Sequence, residues 1–287
     1  KIALADPPAS TFAKAMSELI ISSKLQIMGV INMTPDSFSD GGKFDTLDKA
    51  VAQANQMIAT GADILDIGGE STRPGSQAVD EQQEIARTIP LITAIRQFSA
   101  IPISIDTNKS AVMRAAVDAG ADIINSIWAL RLGDSLQVAA ELDVPVCLMH
   151  MQGTPDTMQQ NPSYRDVVTE VLEFLQARID AALTAGIAAH NIIVDPGFGF
   201  GKTLEHNLLL LRSLSEFRKL GVQVLVGMSR KGMIGAILGK PADQRLYGSL
   251  SVAVIAAMQG ADIVRVHDVA ETAEALAIVR ALGQVAI

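Results

Sequence analysis

Hydrophobic positions in this chain follow two alternating rhythms. Short apolar runs, "LQIMGVI" from Leu25, "DILDI" from Asp63, "IPISI" from Ile101, "DIINSI" from Asp122, "VPVCLM" from Val144, "NIIVD" from Asn191, "VQVLVG" from Val222 and "DIVRV" from Asp262, are rich in Ile and Val and bounded by turn residues. Runs of this length and composition predict buried strands. Between them lie stretches with apolar residues near every ~3.6 positions, among them "DKAVAQANQMIATG", "AVMRAAVDAG", "RDVVTEVLEFLQARIDAALTAG" and "AETAEALAIVRAL", which predict helices. Three of the junctions are near copies. "GADILD" from Gly61, "GADIIN" from Gly120 and "GADIVR" from Gly260 each set a helix-stopping glycine before a strand and a polar residue at the sixth place: Asp66, Asn125 or Arg265. A recurring helix–glycine–strand unit implies a repeated α/β architecture, with equivalent positions at one level of one sheet.

Eight such units follow one another without a Gly/Ser linker or low-complexity tract. They favour a closed (β/α)8 TIM barrel, a single domain over residues 25–287, preceded by a segment 1–24 that carries no clear motif. A doubly wound open sheet fits the same periodicity and stands as the second architecture.

Composition narrows the partners. The chain has 287 residues, 49% hydrophobic and only 4% aromatic, so it can bury a large aliphatic core. Its apolar runs are far shorter than the ~20 residues that cross a bilayer, and no basic stretch followed by an apolar run opens the sequence. The single Cys147 excludes an intrachain disulfide and fits a reducing cytoplasm; within "VPVCLMH" it reads as a buried structural thiol. A net charge of -8 argues against nucleic acid or an anionic membrane surface as partner. An anionic substrate would need a local cluster of cations.

In a barrel the active face lies at the C-terminal strand ends. Those ends are polar almost throughout: Asn32, Asp66, Asp106, Asn125, His150, Asp195, Ser229 with Lys231, and Arg265 with His267. Any one could be polar merely because its strand exits to solvent, and Asp66 could as well fix a neighbouring loop. Together they form two sets. Asp106, Asn125 and Asp195 are acceptors suited to a planar heterocycle rich in N–H donors. Arg73 in "STRPG", Arg230 and Lys231 in "MSRKG", Arg265 and His267 are cations suited to phosphate oxygens. Met149 and Met151 fit core filling and ligand lining equally well.

Several motif look-alikes fail. "DPGFGFGKT" from Asp195 lacks the first glycine of a phosphate-binding loop, because Pro196 stands there, and Lys202 takes the last glycine's place in the dinucleotide pattern. Four histidines and one cysteine show no zinc-like spacing, and His190 and His206 read as surface-turn residues.

Taken in order, "MGVINMTPDSFSDGG", "DIGGESTRPG", "SIDTNK", "VCLMHMQGTP", "DPGFGFGK", "GMSRKGMIG" and "RVHDV" resemble the strand-end signatures of the dihydropteroate synthases, folate-pathway enzymes inhibited by sulfonamides. The resemblance runs from about Leu25 to Leu282. It implies condensation of 6-hydroxymethyl-7,8-dihydropterin pyrophosphate with p-aminobenzoate, through departure of pyrophosphate and a pterin carbocation. It assigns Asp106, Asn125, Asp195 and Lys231 to the pterin, with Ile127 and Met149 against its ring. Asn32, Thr72, Arg73, Arg265 and His267 would hold pyrophosphate with Mg²⁺, Asn32 as metal ligand. Phe38, Arg73, Pro74, Phe200, Ser229 and Lys231 would form the p-aminobenzoate pocket, and Asp106, Asp195, Lys231 and Arg265 would carry the catalysis. A cytoplasmic homodimer is the corresponding expectation.

Methyltetrahydrofolate:corrinoid methyltransferases share a pterin-binding barrel but have no use for "STRPG" and "SRKG" as pyrophosphate and aminobenzoate sites. A non-catalytic pterin-binding protein is the alternative from another class. One departure from the family pattern stands out: where asparagine–aspartate is usual, this chain reads Asn125–Ser126. Neighbouring strand residues face opposite ways, so Ser126 is expected to point away from the ligand.

Overall fold

The computed structural model describes Ser22, residues 25–34, 43–71 and 79–284. The segment 1–24 therefore lies almost wholly outside the described residues. Eight parallel strands, β1 (Gln26–Asn32), β2 (Ile64–Gly68), β3 (Ile103–Asp106), β4 (Ile123–Ser126), β5 (Val146–Met149), β6 (Ile192–Asp195), β7 (Gln223–Val226) and β8 (Ile263–Val266), close into a barrel in sequence order, with β8 pairing back onto β1. The closed barrel, and not the open sheet, is the architecture. Helices α1 (Lys43–Ala59), α2 (Glu81–Arg96), α3 (Ser110–Asp118), α4 (Ser135–Leu142), α5 (Val167–Thr184), α6 (Leu204–Arg212), α8 (Leu246–Met258) and α9 (Val269–Gly283) follow the strands in turn. A short extra helix, α7 (Gly232–Leu238), sits between β7 and α8.

Two cores result from the alternation of side chains along each strand. Met28, Ile64, Ile123, Cys147, Ile193, Leu225 and Ile263 pack inside the barrel. Cys147 is the buried, free thiol that its apolar context predicted. Outward-facing residues such as Ile27, Leu65, Ile67, Ile105 and Leu148 pack against helix residues such as Leu91, Ile92, Val112 and Leu175. No helix among the described residues is long and apolar enough to cross a membrane.

The repeated "GAD" units work at the N-terminal end of the barrel. Their glycines turn with φ of +107, +108 and +88° at Gly61, Gly120 and Gly260, where an L side chain is strained. The aspartate that follows reaches the neighbouring strand. Asp63 accepts the Ile27 N–H at 2.8 Å, Asp122 the Ile103 N–H at 2.8 Å, and Asp262 the Val224 N–H at 2.9 Å. Each satisfies a backbone donor at a strand start, and each also meets an arginine: Arg280, Arg96 and Arg218 respectively. His190 lies exposed on a short 3-10 turn, as expected. His206 differs from its expectation, because it occupies the first turn of α6 and closes a reciprocal cap with Thr203. Thr203 ahead of the apolar "LLLL" was the helix-start signal.

Candidate active site at the barrel mouth

At the opposite end the same repeats deliver their sixth residues. Asp66, Asn125 and Arg265 face inward near the C-terminal ends of β2, β4 and β8, and strand register sets Asp106 beside Asn125 and Asp195 beside Met149. Arg265 lies between two carboxylates: its Nε donates to Asp66 Oδ2 at 2.6 Å and its Nη2 to Asp106 Oδ2 at 2.9 Å. Asn125 Nδ2 lies 3.4 Å from both oxygens of Asp66. Asp66, 0% exposed, therefore fixes no loop; it is the buried counter-ion of Arg265.

Burial sets the protonation of this group. Desolvation, helped by Asp66 and opposed by Arg265, pushes Asp106 up to about 7. Burial brings Lys231 down to about 8, against the pull of Asp195. Asp195 is raised by burial, with Lys231 and the Gly197 N–H opposing; that N–H donates to Asp195 Oδ1 at 2.7 Å. For Arg265 burial works against the charge, and Asp66 and Asp106 more than offset it, so the guanidinium stays ionised. The mouth thus holds interleaved anions and cations in a poorly hydrated space.

An apolar wall stands beside them. Ile127, Met149, Met151, Met158 and Phe200 form one buried cluster, with Trp128 packed against it. Both methionines flanking His150 belong to this wall. Lys231 Nζ lies 4.5 Å from the Phe200 ring centroid and donates to the Phe198 carbonyl. Ser229 Oγ lies 3.1 Å from His267 Nδ1 and accepts the His267 N–H at 3.3 Å. Asn32 Oδ1 and Asp106 Oδ2 lie 3.8 and 4.0 Å from the point that a Cβ on Gly68 would occupy, so both oxygens border the same bare glycine.

Two expected members are turned away. His150 follows Met149 and, by alternation, faces the helix layer, where its ring meets Phe174 edge-on at 4.9 Å. Arg230 is ion-paired to Asp268 and donates two hydrogen bonds to it. Phe38, Thr72, Arg73 and Pro74 lie outside the described residues. Ser126 points away from the mouth as alternation requires: its hydroxyl, in a residue 1% exposed, donates to Asn108 Oδ1 at 3.3 Å and accepts the Leu130 N–H at 3.2 Å.

Sequence reasoning missed two lysine contacts. Lys109 bridges Glu70 and the fully buried Glu84, and Lys202 is buried under the loop after β6. Lys202 at the close of three alternating glycines was the available signal; nothing in "QQEIARTIPL" marks Glu84 as inward.

The chain as a whole has relatives among known proteins. Residues 28–267 match the model of the pterin binding enzyme family. The dihydropteroate synthase of Haemophilus influenzae is 53% identical over 253 residues, covering 88% of this chain and 92% of that protein. The chain belongs to the dihydropteroate synthase family of pterin-binding enzymes. Among solved structures of the family, Yersinia pestis dihydropteroate synthase with a sulfonamide drug complex superposes with a TM-score of 0.88 at 50% identity, covering 92% of this chain and 96% of that one. The Xanthomonas albilineans dihydropteroate synthase in complex with 7,8-dihydropteroate gives 0.84 at 45% identity, covering 92% and 95%.

Proposed function

We propose that this barrel mouth condenses 6-hydroxymethyl-7,8-dihydropterin pyrophosphate with p-aminobenzoate. The observation that carries this reading is the ring of Asp106, Asn125 and Asp195 beside the Ile127–Met149 wall, with Lys231 at its rim. A pterin presents a flat π-face and an edge of N–H donors, which are the complements of that wall and those acceptors. Ionised Asp106 and Asp195 favour positive charge on the pterin as the exocyclic C–O bond breaks and pyrophosphate departs. The aniline nitrogen then forms the new C–N bond and gives up a proton. Lys231, Phe200 and Ser229 border the place it would approach from, completed by Phe38, Arg73 and Pro74 in the proposed pocket. No step requires a covalent nucleophile.

Arg265, His267, Asn32, Thr72 and Arg73 are proposed to receive the pyrophosphate. Among the described residues no group of three or more His, Cys, Asp and Glu is arranged to hold a metal. The donor present, the Asn32 amide oxygen, suits Mg²⁺ that keeps most of its coordination from phosphate oxygens and water. Bound there, the metal would supply charge neutralisation on the leaving group.

A homodimer is proposed on the exposed apolar face of α6, where Leu204, Leu208 and Leu209 are 37, 43 and 40% exposed. Sedimentation of Leu208→Glu against the parent chain tests it. A cytoplasmic location is the reading that the free Cys147 fits.

The reaction itself is tested by following pyrophosphate release from the pterin substrate with and without p-aminobenzoate. Release matched one-to-one by dihydropteroate supports the synthase. Pterin binding with no release would leave a binding protein, and methyl transfer from methyltetrahydrofolate without release would leave the corrinoid-type reading.

A further inference from the structure

Beneath the site, on the side where His150 meets the helix layer, the loop after β6 is wrapped around a buried ammonium. Lys202 is 3% exposed, and its Nζ lies 2.9 Å from His150 Nδ1, 2.9 Å from Gly197 O and 3.1 Å from Phe200 O. Three acceptors match the three N–H bonds of one ammonium. Gly197, held in this way through its carbonyl, donates its own N–H to the Asp195 carboxylate, and Phe200, held through its carbonyl, carries the ring that lies over Lys231. Gly197 cannot be replaced in this arrangement. Its φ is +71°, and an added Cβ would sit 1.8 Å from the His150 carbonyl oxygen.

We propose that Lys202 is a positioning residue for the substrate site: its ammonium, seated on His150, holds the Gly197 and Phe200 carbonyls and so fixes the Gly197 residue, with its N–H on Asp195, and the Phe200 ring against Lys231. This rests on the assignment of Asp195 to the pterin. Two routes lead from Lys202 to that carboxylate, one through the charge itself and one through the Gly197 N–H, and both favour its ionised form. The other charged groups acting on Asp195 are Lys231 and Arg265. Burial presses Lys202 toward the neutral amine, and Asp195 opposes that pressure, so each supports the other's charge. His150, lowered to about 2 by burial and by Lys202, stays neutral and able to accept at every working pH.

The test is calorimetric titration of the pterin alcohol, which lacks the phosphates, into the parent chain, Lys202→Met, His150→Phe and Asp195→Asn between pH 7 and 9, with melting temperatures measured alongside. Lys202→Met is expected to lose roughly 10- to 100-fold in pterin affinity, the range typical of groups that orient a binding ligand. The loss, taken as a ratio to the parent, should shrink as pH rises, because Asp195 without its supports ionises at higher pH and because Lys202 in the parent, pressed by burial toward the amine, gives up its charge over the same rise. His150→Phe keeps the ring contact with Phe174 but removes one acceptor, and it should lose a few-fold in the same direction, so it decides the matter if Lys202→Met does not fold. A loss in Asp195→Asn with none in His150→Phe or Lys202→Met would overturn the role of Lys202, as would a loss that tracks the melting temperature and ignores pH. No loss in Asp195→Asn would overturn the pterin assignment beneath it.

Discussion

The two ends of this barrel are built from the same repeat and use charge in opposite ways. At the N-terminal end, Asp63, Asp122 and Asp262 each accept a strand N–H and meet an arginine; the Asp122 and Asp63 side chains are 52 and 40% exposed, and Asp262, itself 13% exposed, meets an Arg218 that is 39% exposed. At the C-terminal end, reached within one strand length, Asp66 is 0% exposed, Asp106 12% and Arg265 21%. Water screens the first set, in which every pair keeps one partner at least 39% exposed, so each pair is worth ~0–1 kcal/mol. Water is largely excluded from the second, so the charges depend on one another, Asp106 is lifted to about 7 and Lys231 is lowered to about 8. Solvation, more than residue type, separates a structural aspartate from one that can carry chemistry.

The sharpest way to break this contrast is Arg265→Ala. It would leave Asp66 charged and fully buried, at about 3–5 kcal/mol of unfolding free energy, as for other broken buried pairs; a urea midpoint shift worth under ~1 kcal/mol would place the mouth in the screened regime. The pH profile of kcat/KM comes next in size. Asp106 must be ionised and Lys231 protonated, so activity should fall about tenfold per unit below about 7 and again above about 8. Asp66→Asn should move the acid limb down, since it removes a charge that raises Asp106; a flat profile from pH 6 to 9 contradicts both assignments. Ser126→Asp, on the far side of β4, should change turnover by well under ~100-fold. Smallest of all, Asp122→Asn should lower stability by about 1 kcal/mol or less and leave kcat/KM unchanged.

Much of this was readable from the chain. Apolar runs in β-branched residues placed all eight strands to within a few residues, and the "GAD" copies placed Asp66, Asn125 and Arg265 at one level. Alternation placed Ser126 outward. The same rule should have removed His150, which directly follows the inward Met149, but its neighbourhood of functional-looking residues masked it. Arg230 beside Lys231 was counted as a second cation because adjacency in sequence does not reveal that φ of +59° at Arg230 turns its side chain to Asp268. The ion pair of Arg265 with Asp66 joins residues far apart in sequence and is fixed by barrel closure, and that of Lys109 with Glu84 is fixed by the packing of neighbouring units, the loop after β3 against α2.

The central claim, that buried charge at the mouth binds the pterin while exposed charge at the base does not, is tested most directly by one comparison. The pterin alcohol is titrated calorimetrically into the parent chain, Asp195→Asn and Asp122→Asn. Asp195→Asn replaces a carboxylate that accepts two N–H donors by an amide that offers one donor the wrong way round, and it should lose ~1–3 kcal/mol of affinity. Asp122→Asn should match the parent. Equal losses in the two variants, or an unchanged affinity in Asp195→Asn, would contradict the account.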